Sequence, residues 1–230
     1  MTHRDQILAL VRHGHSFAND ETEKPADGYY YKLSGSDKSV GVTERGLQQC
    51  DRASALLAML FPEENPIEQV WTSEYDRTDL SAGRIIQSWP YVPALRCDPR
   101  LNKREYGQFW NMTYLGVEKL HPEQFELYKG LGALKYRPPG GENYFDLFER
   151  TEAFVKDNLE NSSGHQMIVG HSASLLALIR ELEGLEDSEV VRQYHCVSIP
   201  NAYIVLYARK GPGDCFRRLW LFEAIATAGR

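Results

Sequence analysis

Short, continuous apolar runs recur along the chain and alternate with longer segments of helical character. Five such runs are Ile7–Val11, Ile67–Thr72, Gln166–Val169, Ala202–Tyr207 and Arg217–Phe222. A run without apolar–polar alternation is typical of a strand that is covered on both faces, as strands of parallel sheets are. We therefore predict a sheet that is built from these runs.

Helical patterns lie between the predicted strands. They span Leu47–Leu60, Asp76–Ser88, Tyr144–Asn158 and Ser174–Leu182. In the first of them, apolar residues recur every three to four positions, which places them on one face of a helix. Strands that alternate with helices predict βαβ connections, and hence an α/β fold with a mostly parallel central sheet.

Two connecting segments stand out by their length. Residues 18–42 are rich in Gly, Ser, Tyr and Asp and are predicted to form a long loop. Residues 108–142 are predicted to be an insertion with helical pieces, which folds over the site as a lid. Because neither segment has the composition of a linker, residues 1–230 are predicted to form a single domain.

Composition narrows the classes of partner. The chain has 230 residues, of which 42% are hydrophobic and 25% charged, and its formal net charge is −6. This balance leaves no basic face for nucleic acid or an anionic membrane, but it is compatible with a small phosphorylated substrate. No apolar stretch approaches the ~18–20 residues of a membrane span, and the polar residues before the first apolar run are not expected to act as a signal peptide.

Cysteine usage points to a reducing compartment. The four cysteines, Cys50, Cys97, Cys196 and Cys215, are widely separated and form no C-x-x-C pair. Four reduced thiols are therefore expected rather than a disulfide or a thiolate site, and the expected location is cytoplasmic.

Charged and polar residues collect where the predicted strands end. Arg12 and His13 follow the first strand, Arg77 lies one turn into the helix after the second, and His171-Ser172 follow the run at 166–169. In open parallel sheets, ligands bind beyond the carboxyl ends of the strands. Two histidines and two arginines are therefore predicted to converge on one edge of the sheet.

This set of side chains suits phosphoryl transfer. A neutral imidazole is a competent nucleophile toward phosphorus, and arginine forks match phosphate oxygens. A second imidazole can donate a hydrogen bond to an equatorial phosphate oxygen as charge spreads over the transferring group. Gly14 is expected to let the backbone approach the phosphate. Each residue alone has an ordinary structural explanation; only their combination predicts a phosphate site.

The order of these segments resembles that of the histidine phosphatase, or phosphoglycerate mutase-like, superfamily, over nearly the whole chain. The resemblance rests on Leu10–Asn19, Thr43–Gln49, Ser73–Ala82, Arg100–Gly107, Pro138–Asn143 and Val169–Ser172. It implies a three-layer α/β/α sandwich, no metal or organic cofactor, and a phosphatase that hydrolyses a small phosphomonoester. It also implies roles for six residues: His13 as the phosphorylated nucleophile, and Arg12, Arg77, His171, Asn19 and Ser172 around the phosphate.

One position departs from the family pattern. The family's usual proton donor is a glutamate at the position that Lys103 occupies here. Glu105 is one candidate replacement, since residues 103 and 105 share a side if the segment is extended, and Glu142 is another. Lys103 itself is expected either to bind a second anionic group of the substrate or to lie in solvent.

Three alternatives remain open at this stage. A phosphoglycerate mutase-type phosphoryl transferase would use the same pocket. A weakened family member would bind phosphorylated ligands or a protein partner without efficient turnover. A metal site at His13, His15 and His171 is disfavoured because Arg12 and Arg77 would repel a cation. The oligomeric state is not predicted.

Overall fold

The computed structural model describes residues 5–23, 28–196 and 199–222. Six strands form one sheet in the order β3-β2-β4-β1-β5-β6. Their bounds are β1 Gln6–Arg12, β2 Ile67–Thr72, β3 Ala94–Cys97, β4 His165–Gly170, β5 Ile204–Arg209 and β6 Arg217–Phe222. The pairings β3-β2, β2-β4 and β4-β1 are parallel, whereas β1-β5 and β5-β6 are antiparallel. The α/β class and the mostly parallel sheet are confirmed.

Eight α-helices are present in the described residues. They are α1 Phe17–Glu23, α2 Glu44–Leu60, α3 Asp76–Ile86, α4 Tyr114–Leu120, α5 Pro122–Lys135, α6 Tyr144–Asn158, α7 Ser172–Glu183 and α8 Asp187–Cys196. Short 3₁₀ turns occupy Asp37–Ser39, Pro99–Leu101 and Gly107–Phe109. All four predicted helices are found, and α4 and α5 are the helical pieces of the segment 108–142.

Two hydrophobic clusters cover the two faces of the sheet. Along β1, Leu8 and Leu10 point into one cluster, and Ala9 and Val11 into the other. Helices α6 and α7 contribute to the first cluster, and α2 and α3 to the second. Both sides of β1 are thus buried at Leu8–Val11, which is why the apolar run has no alternating polar positions. This arrangement is the three-layer α/β/α sandwich.

Capping residues set the limits of the helices that border the site. Thr43 caps α2 by accepting a hydrogen bond from the Gly46 amide at 3.2 Å. Asn143 and Asp146 form a reciprocal capping box at the start of α6. Such caps satisfy amides that have no partner within the helix.

Several elements were not predicted. Strand β3 and helix α8 were missed, and the short helix α1 overlaps the start of the predicted loop 18–42. Strand β3 was missed because all four of its side chains are exposed, so it has no apolar run. Among the described cysteines, Cys50 is buried, Cys97 and Cys215 are exposed, and all three are free thiols; the side chain of Cys196 lies outside the described residues.

Candidate active site

The carboxyl ends of the parallel strands open into one cavity of about 470 Å³. Strands β1 and β4 are neighbours in the sheet, so the residues that follow them, His13 and His171, emerge side by side. Their ring centroids are 5.2 Å apart. Arg77 reaches the same cavity from α3, which follows β2. The predicted convergence of segments around positions 13, 77 and 171 is therefore present in the fold.

His13 is buried at the floor of the cavity with only 4% of its surface exposed. Its Nδ1 lies 2.7 Å from the carbonyl oxygen of Gly14, which fixes that nitrogen as the donor. Burial lowers the pKa of His13 well below its ordinary value, and the charges of Arg12 and Arg77 lower that pKa further. The ring is therefore neutral near pH 7, and its Nε2 carries a free lone pair.

The backbone around His13 is held by a turn that sequence reasoning missed. Asn201 donates its side-chain amide to the carbonyl oxygen of His13 at 3.0 Å and to Oδ1 of Asn19 at 3.1 Å. Ala202, which has a φ of 55°, donates its amide to the carbonyl oxygens of Arg12 and His13. A non-glycine residue in this left-handed region is strained and marks a position that its surroundings enforce.

Arg77 is 3% exposed, and its guanidinium lies 4.5 Å from the ring centroid of Tyr75. It donates to the backbone oxygen of Asp37 at 2.8 Å, and its Nη2 lies 3.3 Å from the Asp37 carboxylate. The other oxygen of that carboxylate pairs with Nζ of Lys103. Asp37 was also missed by sequence reasoning; the available signal was an acidic residue in the loop that follows the His13 strand.

The start of α7 brings further polar groups to the cavity beside His13. His171 is buried, and its Nε2 lies 2.8 Å from the Ser73 hydroxyl. Burial and the neighbouring Arg77 lower the pKa of His171 well below its ordinary value. Within the described part of the chain, neither His171 Nδ1 nor Ser172 Oγ has a hydrogen-bonding partner. A buried polar atom without a partner is costly unless a ligand supplies one.

Arg12 and Asn19 line the cavity beside His13. Arg12 donates from Nη1 to the backbone oxygen of Ile199, which fixes the direction of its side chain. Oδ1 of Asn19 accepts from the amide and hydroxyl of Ser16 as well as from Asn201. Only the amide donors of Asn19 are then left to face an anion.

Comparison with known proteins agrees with this geometry. The model of the histidine phosphatase superfamily (branch 1) matches residues 8–213. The chain belongs to that superfamily. Its relatives in this superfamily include phosphatases and phosphoryl transferases.

Two curated relatives and one solved structure illustrate the range of the superfamily. A 6-phosphofructo-2-kinase/fructose-2,6-bisphosphatase of Arabidopsis thaliana is 36% identical over 171 residues, which are 74% of this chain but only 20% of that protein. A 2,3-bisphosphoglycerate-dependent phosphoglycerate mutase of Bartonella henselae is 27% identical over 206 residues, 86% of this chain and 92% of that one. The structure of a putative alpha-ribazole-5'-P phosphatase from Escherichia coli superposes with a TM-score of 0.75 at 19% identity, covering 98% of this chain and 100% of that one.

The two carboxylates that the sequence offers as proton donors of a histidine phosphatase lie outside the cavity wall. Lys103 lines the cavity, but Glu105 and Glu142 do not. The Glu105 amide donates to Glu142 Oε2 at 3.0 Å, and the Glu142 amide donates to the Glu105 carbonyl oxygen at 2.9 Å. Residues 103–106 form no regular helix or strand, and of positions 103 and 105 only Lys103 contributes to the cavity wall.

Glu142 instead forms a half-buried ion pair with Arg150. Arg150 on α6 binds both carboxylate oxygens of Glu142, at 2.8 and 2.9 Å. The same guanidinium donates to the carbonyl oxygens of Arg100 and Lys103. Arg150 thereby ties α6 to the backbone that presents Lys103. Bidentate pairs of this kind fix geometry as well as charge.

Gly14 and His15, which follow His13 in the sequence, are both held by packing contacts. The ring of His15 points away from the cavity: its Nδ1 contacts Thr43 Oγ1 at 2.9 Å, and its Nε2 lies 3.3 Å from Glu23. A side chain at Gly14 would meet Gly46 and Cys50 rather than the cavity, so the approach of α2, and not of a phosphate, requires this glycine. In the described ranges, no group of three or more His, Cys, Asp or Glu residues is arranged to hold a metal ion.

The described helices are all too short or too polar to cross a membrane.

Proposed function

We propose that this protein is a phosphatase that hydrolyses a small phosphomonoester through a phosphohistidine on His13. The observation that carries the proposal is the state of the His13 ring: buried and neutral, with its Nδ1 committed to Gly14 and its Nε2 left as the nucleophile. The relatives named above act on phosphorylated molecules, as their names state. That this chain hydrolyses a phosphomonoester through a phosphohistidine is our proposal.

The surrounding groups have complementary tasks in this scheme. Arg12 and Arg77 neutralise the phosphate and orient it for in-line attack by His13 Nε2. His171 Nδ1 and Ser172 Oγ, which have no hydrogen-bonding partner in the described structure, bind phosphate oxygens. The helix α7 begins at Ser172, so its first amides also point toward the anion.

A mutase is the second candidate, because the Bartonella henselae relative matches over nearly its full length. Phosphatase is preferred because Lys103 stands where the family resemblance places the glutamate proton donor. The two activities differ in their acceptor, since a phosphatase passes the phosphoryl group to water. Inorganic phosphate as the main product supports the phosphatase, and quantitative transfer between two positions of one molecule supports the mutase.

The direct test is to trap the covalent intermediate. Wild-type protein is mixed with ³²P-labelled 4-nitrophenyl phosphate and quenched in alkali, in which phosphohistidine survives. We expect acid-labile label on the peptide that contains His13, no label in His13→Asn, and normal labelling in the control His121→Asn, whose side chain does not line the cavity. Hydrolysis without label on His13 would refute the proposal. If neither hydrolysis nor labelling were observed, the result would favour a family member that binds phosphorylated ligands without turnover.

A further inference from the structure

The wall of the cavity away from His13 is mostly aromatic. Tyr31, Phe109, Trp110, Tyr114, Tyr128 and Tyr136 all line it. Most of these residues come from the segment 108–142, whose α4 and α5 pack their own rings together: Tyr114 lies 4.8 Å from Phe125, and Tyr128 lies 5.4 Å from Tyr136, between ring centroids. Rings that brace each other in this way form a fixed surface, which a ligand does not have to organise.

Charge is distributed unevenly along this cavity. Arg12, Arg77 and Lys103 stand around the two histidines. The cation in the aromatic part is Arg104, which lies over the rings of Tyr106 and Tyr144 at 4.6 and 4.7 Å. A guanidinium plane among aromatic rings stacks well on another planar ring. A cavity of about 470 Å³ is also far larger than a phosphate group needs, and is of the size that encloses a drug-sized ligand.

We infer that the aromatic wall is a subsite for the organic part of the substrate. The substrate class is a phosphomonoester of an alcohol that carries a planar, largely apolar ring system. The inference rests on the proposed function, because it takes the phosphate to lie at His13. Short hydrophilic phosphoesters would leave the aromatic wall in contact with water, and they would gain no binding energy from it.

A series of primary-alcohol phosphates tests this subsite. Ethyl, benzyl and 2-naphthylmethyl phosphate have leaving groups of similar acidity, so differences between them report binding of the organic part. We expect kcat/KM to rise by about 100-fold from ethyl to 2-naphthylmethyl phosphate, from the apolar area that the rings bury. The double variant Trp110→Ala/Tyr128→Ala should reduce this preference about tenfold.

The control removes an aromatic ring elsewhere. Phe145 is 42% exposed on α6 and does not line the cavity, so Phe145→Ala should keep the preference. Equal kcat/KM values across the series in an active enzyme would overturn the subsite and leave the proposed function standing. Hydrolysis of none of the three esters, with no label on His13, would overturn both.

A second inference concerns the proton that the leaving group needs. Among the described residues that line the cavity, Asp37 supplies the one carboxylate. It bridges Arg77, a phosphate-binding residue in the proposed scheme, and Lys103, and its side chain is 15% exposed. Lys103 occupies the position where the family resemblance places a glutamate. The ion pair between Asp37 and Lys103 therefore brings a carboxylate from another segment of the chain close to the position of that glutamate.

We propose that Asp37 is the proton donor and, in the second step, the acceptor. Because the Asp37 carboxyl contacts Arg77, a phosphate that takes the Arg77 donors lies directly beside it. As His13 Nε2 bonds to phosphorus and the ester P–O bond breaks, the Asp37 proton moves to the departing oxygen and gives the alcohol. Water then attacks phosphorus and returns a proton to Asp37. The P–N bond breaks with its electron pair left on His13, and inorganic phosphate is released.

The test compares leaving groups. Asp37→Asn should lower kcat for benzyl phosphate by about 100- to 1,000-fold. It should lower the rate of His13 phosphorylation by 4-nitrophenyl phosphate less than about tenfold, because nitrophenolate departs without a proton. A purely structural role for Asp37, holding Arg77 and Lys103, would lower both rates equally, and that result would overturn the assignment.

Matched carboxylate variants complete the experiment. Asp51→Asn removes an exposed carboxylate that pairs with Arg84 and should change neither rate. Glu105→Gln and Glu142→Gln should not reproduce the selective loss for benzyl phosphate. A selective loss in either variant, with Asp37→Asn unaffected, would move the proton donor to that residue. Labelling of His13 in Asp37→Asn keeps this test separate from that of the nucleophile.

Discussion

Replacing Arg77 with alanine should lower kcat/KM for benzyl phosphate by about 1,000-fold, the scale of losing a charged donor to a transferring phosphoryl group. Arg77 is buried beside His13 and His171, so water cannot take over its role at low cost. Steady-state kinetics on purified variants measure this loss. Arg77→Lys should recover only part of it, because an ammonium group keeps the charge but loses the planar fork.

The control for Arg77 lies on the same helix. Arg84 is on the outer side of α3, where it pairs with Asp51 in a surface ion pair. Arg84→Ala should leave kcat/KM within about twofold, because exposed pairs contribute little even to stability. If Arg77→Ala retained more than a tenth of the wild-type kcat/KM while it remained folded, the phosphate would have to bind elsewhere.

Adding one methyl group at Gly46 should destabilise the fold by about 3 kcal/mol or more. A Cβ at this position would lie 2.1 Å from the carbonyl oxygen and 2.8 Å from the amide nitrogen of His15, so backbone would have to move. Thermal unfolding should then begin at a temperature lower by roughly 6–12 °C. Activity should fall as well, because the displaced residues adjoin Gly14 and His13.

Gly83 provides the matched comparison. It lies inside α3, and a Cβ there would meet nothing within 4 Å. Gly83→Ala should therefore stabilise the protein by about 0.5–1 kcal/mol, since alanine loses less backbone entropy in a helix. Equal effects of the two substitutions would show that α2 does not press on the loop after β1 as tightly as the distances indicate.

The fold and the phosphate end of the cavity were predictable for the same reason. Strands covered on both faces leave continuous apolar runs, and a parallel sheet gathers whatever follows those runs at one edge. His13, Arg77 and His171 could therefore be placed together from their positions after β1, β2 and β4. The roles of these residues remain predictions, although the geometry agrees with them.

Residues that act through long-range contacts were not predictable. Asp37 meets Arg77 and Lys103 only because a loop folds across the sheet edge, and Asn201 meets His13 only through the antiparallel pairing of β5 with β1. Neither contact leaves a periodic pattern. Glu105 was proposed on the assumption that residues 103 and 105 share a side, whereas of these two only Lys103 lines the cavity.

The base of the segment between Glu105 and Glu142 has an evolutionary consequence. The two ends of this segment meet through reciprocal backbone and side-chain hydrogen bonds, and Gln108 also donates to the Pro139 carbonyl oxygen at 3.0 Å. Insertions or deletions between such closed ends cost little loop entropy and do not displace the sheet edge. Replacement of this whole segment in a related chain can thus change the substrate preference while the groups around His13 stay in place.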